Sequence, residues 1–185
     1  MNTYKIAVIV GSLRKESFNL KTAKALMAMA PESLNLELIN IADLPMFNED
    51  LEATPPKEWV TFKEQVASAD GILFLTPEYN RSVPAVLKNA IDVGSRPYGD
   101  NSWDGKAAGI VSVSIGNISG FGANHHLRQS LTFVNAPTMA QPEAYIGGAA
   151  ALFDDQGKLI NESTASFLKK FMEAYEKWVH TIVKK

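Results

Sequence analysis

A chain of 185 residues is long enough for one well-buried core and short for two. Its formal charge of −2 lacks the basic excess of a nucleic-acid binder and is less acidic than expected of a small electron carrier that docks through charge. The absence of cysteine excludes disulfides, thiolate catalysis and Cys-ligated zinc or iron–sulfur centres. No apolar run nears the ~20 residues of a membrane span and no signal peptide is legible, which makes the cytoplasm the expected location.

Strand-length apolar runs alternate with segments of helical period. Residues 6–10 form an aliphatic run without polar alternation, the pattern of a strand covered on both faces. Phe18, Thr22, Ala25, Leu26 and Met29 then recur at helical spacing until Pro31, and residues 36–41 read as a second strand. Residues 43–57 hold three prolines and read as a surface excursion. Trp59, Phe62, Val66 and Ala69 mark a helix, residues 72–76 a strand ended by Pro77. Val83, Val86, Leu87, Ala90 and Ile91 mark the next helix, with Pro84 in its first turn. Residues 107–114 are a strand; Ala123, Leu127, Leu131 and Val134 a helix; a short strand is expected near residues 138–145. The stripe from Phe167 to Ile182 marks a long terminal helix, read as core packing. Five strands alternating with five helices imply one doubly wound parallel sheet, a three-layer α/β/α domain over residues 1–185.

In such a sheet ligands bind beyond the carboxyl ends of the strands. The loop after the first strand is Gly11-Ser-Leu-Arg-Lys-Glu-Ser-Phe-Asn19. Gly11 permits a sharp turn. Ser12, Ser17 and Asn19 supply hydroxyls and an amide, Arg14 supplies a fork matched to phosphate oxygens, and the helix start at Phe18 adds free N–H groups and a positive dipole end. A second reading has Ser17 as a helix cap and Arg14 as a solvated charge. Neither dinucleotide nor P-loop glycine signatures are present; a side-chain-rich loop suits a terminal monophosphate better than a pyrophosphate. Pro77-Glu-Tyr-Asn-Arg-Ser82 follows the third strand and brings free amides and the ring of Tyr79 alongside; its other reading is a turn in which Asn80 makes a local side-chain bond. A phosphate cradle beside an aromatic-bearing loop is what a flat mononucleotide such as flavin mononucleotide (FMN) requires.

These two motifs, with Leu87-Lys-Asn-Ala-Ile-Asp92, resemble the NADPH-dependent FMN reductase family, which includes bacterial quinone and chromate reductases. The resemblance runs from Ile6 to about Gly148 and implies a flavodoxin-like fold. It implies non-covalent FMN, with NADPH or NADH as hydride donor and a small-molecule acceptor: a quinone, azo compound, metal oxyanion or free flavin. It places Pro77, Glu78 and Tyr79 along the ring, with Asn80 and Ser82 tying down the loop. It nominates Ser114 and Gly116 for the ring's other side, although the glycines of residues 114–122 also fit a flexible connector. Phe18 falls within the phosphate motif. A homodimer or homotetramer is implied as well. Arg81 stands where chromate-reducing relatives carry an aromatic residue; it is either a solvated charge or a contact for the nicotinamide nucleotide.

His125 and His126 are adjacent and cannot share a metal from one helix face, so no metal site is expected and both read as helix-start polar residues. Gly116-x-x-Ser119-Gly120 misses the serine-hydrolase elbow by one position. No side chain is assigned as catalytic: the flavin carries the redox chemistry, backbone N–H groups stabilise charge on its reduced form, and nicotinamide and acceptor use one open face in turn. The rival reading is a flavodoxin-like electron carrier without NAD(P)H oxidation; a second is a binding module that keeps only the fold.

Overall fold

The unbroken aliphatic runs become strands because each is covered on both faces. In the computed structural model, which describes residues 3–183, β1 (Tyr4–Val10), β2 (Leu34–Ile39), β3 (Gly71–Thr76), β4 (Ala107–Val113) and β5 (Ala144–Ile146) form one parallel sheet in the order β2-β1-β3-β4-β5. Every residue of β3 and β4 is buried, as expected for the centre of a parallel sheet. Five helices complete the layers: α1 (Phe18–Ala28), α2 (Lys57–Ala67), α3 (Ala85–Gly94), α4 (Phe121–Phe133) and α5 (Glu162–Ile182). Ile6, Val8, Leu73, Leu75 and Val111 face α1 and α5. Ala7, Ile9, Ile72, Phe74 and Ile110 face α2, α3 and α4. This is the three-layer flavodoxin-like fold.

Two glycines in the central strands are dictated by α5. A Cβ on Gly71 would lie 2.8 Å from the Tyr175 hydroxyl, and one on Gly109 would lie 2.9 Å from its ring. Tyr175 is fully buried there and donates to Ala107 O at 3.0 Å. The terminal stripe is therefore core: Leu168, Phe171, Met172, Tyr175 and Val179 are all buried.

Several boundaries differ from the sequence reading. β2 lies two residues earlier than expected. Val83 precedes α3, whose N-cap is Pro84. The last strand shrinks to Ala144–Ile146, because Pro137 and Pro142 lack the N–H groups a longer ladder needs; Thr138 makes only an isolated bridge to Ala108. The proline-rich excursion contains a 3₁₀ turn (Glu49–Leu51) and is pinned to α3. Buried Asn89 accepts from Phe47 N at 2.7 Å and donates to Pro45 O at 3.1 Å. Among the described residues no helix is long and apolar enough to cross a membrane.

The strand order places β1 beside β3, with α1 and α3 leaving toward opposite faces. That divergence opens a crevice at their carboxyl ends.

Candidate functional site

Sheet pairing continues one residue past β1, where Gly11 N donates to Leu75 O at 2.8 Å. Gly11 owes its identity to this close approach rather than to a left-handed turn. A Cβ would meet Pro84 and Leu87 of the neighbouring connection at 3.1 Å each. The start of the first loop thus packs against the end of the second.

Beyond Gly11 the backbone stops pairing. Apart from a loose turn at Lys15-Glu16, no backbone carbonyl among the described residues receives an N–H from residues 12–19. Ser17 is the N-cap of α1, its Oγ accepting from Leu20 N at 3.2 Å, and it is buried; the cap reading is the observed one, with the hydroxyl proton still available. The side chains of Ser12 and Arg14 make no hydrogen bond or ion pair among the described residues, and Arg14 is exposed. Asn19 is 4% exposed; its Nδ2 donates to Val113 O at 3.4 Å, tying α1 to the end of β4, while its Oδ1 is buried without a donor. The ring of Phe18 stacks on Phe153 with centroids 6.2 Å apart, so only its backbone faces the loop's chemistry. Unclaimed N–H groups, a helix N-terminus and a free guanidinium suit a phosphate monoester; an orphaned buried acceptor suits a hydroxyl proton on the chain attached to it.

The loop after β3 is the opposite case. Tyr79 N donates to Ser82 O at 3.1 Å and Ser82 N to Tyr79 O at 2.9 Å, closing a two-residue turn. Its central residues, Asn80 (φ 51°) and Arg81 (φ 62°), are both left-handed, as a type I′ turn requires. Backbone bonds make this turn; the expected side-chain bond from Asn80 is absent among the described residues. Glu78 does not offer its carboxylate to the crevice. Oε1 accepts from Arg81 Nη1 at 2.9 Å and Oε2 from Ala123 N at 3.0 Å, in the first turn of α4. Gly120, the left-handed N-cap of α4, has no side chain to do this, so Glu78 caps the helix from another loop and sits at its positive end. Arg81 is accordingly an ion-pair partner with an exposed side chain. Tyr79 remains half exposed above the turn.

The glycines after β4 divide by role. A Cβ on Gly122 would lie 2.9 Å from Glu78 Oε2 and 3.0 Å from Arg81 O; one on Gly120 would meet Ser112 at 2.9 Å. Both serve packing of the β3 loop against α4. Gly116 meets nothing closer than Ser114 Oγ at 3.7 Å and is open to the crevice side. Ser114 Oγ accepts from Gly116 N at 3.1 Å, and Ser114 is fixed by Ile146 O and Ala149 N. Three loops, from β1, β3 and β4, therefore converge on one edge of the sheet.

Residues 4–151 match the model of the NADPH-dependent FMN reductase family. The chain belongs to that family. It is 59% identical over 177 residues to a quinone reductase of Pseudomonas putida, covering 95% of each chain. It is 43% identical over 175 residues to a 2-hydroxy-1,4-benzoquinone reductase of a Burkholderia species, covering 95% of this chain and 96% of the other. Among solved structures it matches a flavoenzyme NAD(P)H:(acceptor) oxidoreductase of Paracoccus denitrificans with a TM-score of 0.92 and 41% identity, over 97% of this chain and 99% of that one. As a family member it is an FMN-dependent oxidoreductase that draws on NAD(P)H and delivers to a small-molecule acceptor. The reading as a mere electron carrier is not favoured.

Two contributors escaped the sequence reading. His126 of α4 shares a 2.7 Å hydrogen bond between its Nδ1 and Ser82 Oγ. His125 shares one of 2.9 Å between Nε2 and the Tyr145 hydroxyl. Both histidines are exposed polar residues early in α4, as read, and also make contacts between elements; no sequence pattern signals partners 44 and 20 positions away. Burial, with Glu143 adding to it, pushes the Tyr145 phenol up to about 12.

Proposed function

We propose that the chain is a quinone reductase whose phosphate loop (Ser12, Arg14, Ser17, Asn19 and the N–H groups opening α1) holds the tail of non-covalently bound FMN. The backbone of Pro77, Glu78, Tyr79 and Asn80 lies along its ring, Ser82 holds that backbone in place, and Ser114 and Gly116 close the other side. Residues 1–185 act as one FMN-binding unit. The observation that carries this reading is the run of largely unpartnered N–H groups over residues 12–19 beside a turn whose own hydrogen bonds are complete. The quinone reductase relatives favour a quinone as acceptor; azo compounds, metal oxyanions and free flavin are secondary ones.

FMN supplies the hydride-accepting and hydride-donating chemistry when bound. The chain's residues bind and orient. Arg14 neutralises phosphate charge, the α1 terminus adds its dipole, and the rigid β3 loop presents N–H groups where negative charge gathers on reduction. No side chain is assigned as acid or base: hydride transfer from a nicotinamide needs none, and the proton that completes a quinol can come from solvent at the exposed face. NADPH or NADH serves as the hydride donor.

The same edge exposes apolar side chains, with Tyr79, Ile115, Ile118 and Phe121 each at least half exposed. This supports a homodimer or homotetramer that walls the open ring face, and light scattering would measure it. The decisive assay for function is a visible spectrum of the purified protein under anaerobic NADPH, followed by a quinone. Yellow absorbance that bleaches and returns is the expected result. A colourless protein that takes up no added FMN would reject the reading.

A further inference from the structure

The turn Tyr79–Ser82 carries two consecutive left-handed residues that are not glycine, a conformation asparagine tolerates but arginine keeps only where its surroundings hold it. Its two ends are held by one helix. Glu78, just before the turn, accepts from Ala123 N at 3.0 Å, and Ser82, at its end, pairs with His126 Nδ1 at 2.7 Å. Ala123 and His126 are three positions apart and so share a face of α4. We propose that His126 is a positioning residue for hydride transfer: with the cap at Ala123 it clamps the β3 loop from both ends and fixes the direction of the loop N–H groups. This rests on the ring lying along that loop. The contact is made by Nδ1, so the function belongs to one ring nitrogen. An asparagine places its terminal amide near the position of Nδ1; a glutamine places its amide near that of Nε2.

The test uses the FMN-loaded full chain and the variants His126→Ala, His126→Asn, His126→Gln and Ser82→Ala. In His126→Ala and Ser82→Ala, amide exchange at Tyr79 and Ser82 should accelerate about tenfold, the loss of roughly one net hydrogen bond. The midpoint potential of the bound flavin should fall, and the rate constant for reduction by NADPH should fall with little change in NADPH affinity. His126→Asn should restore exchange and potential; His126→Gln should not. The double variant His126→Ala/Ser82→Ala should be no worse than either single change. Unchanged exchange in His126→Ala overturns the clamp itself, and so does rescue by glutamine but not asparagine. Faster exchange with an unmoved potential overturns the proposal at the ring placement on which it rests. A lowered melting temperature with exchange and potential both unchanged would leave His126 merely structural, and also overturns it.

Discussion

The loop after β1 begins, at Gly11, against the end of the loop after β3, at Pro84, yet the two are built on opposite principles. Residues 12–19 leave most of their N–H groups without carbonyl partners, and Arg14 makes no hydrogen bond or close ion pair, only a longer-range attraction to exposed Glu16. Residues 78–82 are held from four sides, by a closed turn, a carboxylate cap on α4, an ion pair and a serine–histidine bond, while the N–H groups of Glu78, Asn80 and Arg81 take no carbonyl partner among the described residues. The first would be completed by an anion, as proposed, and its stability should then depend on what is bound. The second is preorganised, which lowers the cost of holding N–H donors toward developing charge. Ground-state affinity should therefore live in one loop and reactivity in the other.

Substitution of Arg14 separates the two most sharply. Arg14→Ala removes a charge-assisted hydrogen bond worth about 1.5–3 kcal/mol, so FMN should bind ten- to about a hundredfold more weakly in a fluorescence titration. The melting temperature without FMN should hardly move, since the side chain makes no hydrogen bond or close ion pair and only a screened attraction to exposed Glu16. Unchanged affinity would make Arg14 a bystander and break the comparison. Glu78→Ala should act the other way round. It uncaps α4 and frees Arg81, costing about 1–2 kcal/mol in urea unfolding whether or not FMN is present. An effect seen only with FMN would show that the carboxylate serves the ligand.

A smaller effect of opposite sign is expected at Arg81. Glycine adopts φ 62° freely, so Arg81→Gly relieves the strain at the turn's second position. It loses an ion pair whose arginine is 69% exposed and which contributes little. The urea midpoint should rise by the equivalent of about 0.5–1 kcal/mol with an unchanged slope. A fall would mean that the pair outweighs the strain. The smallest effect concerns Tyr145. A phenol that ionises near 10 in the unfolded chain and about 12 in the fold leaves the unfolded chain with fewer protons between those values. Stability then declines as pH rises through that window. Tyr145→Phe should make the decline shallower between pH 10 and 12; an identical slope would remove Tyr145 from the account.

The sheet and its helices were legible because hydrophobic period is a local property: residues 6–10 and 72–76 could only be buried strands. The sparsely bonded loop after β1 was legible for a related reason, since its donors stand in its own sequence. The β3 loop was only half legible. Its location followed from the strand before it, but the Glu78 carboxylate, the His126 contact and the packing reasons for Gly120 and Gly122 depend on α4, forty residues onward. Asn80-Arg81 gave no hairpin signal because the usual turn has glycine at the second position. Prolines hid the true start of β5, which pairs with β4 for three residues only.

Amide exchange on the intact protein, with and without FMN, tests the central contrast most directly. The account predicts that amides of residues 12–19 exchange fast alone and become protected on FMN binding, while Tyr79 and Ser82 are already slow without it. Protected amides in the first loop before FMN is added, or a Tyr79–Ser82 turn that becomes protected only afterwards, would contradict it.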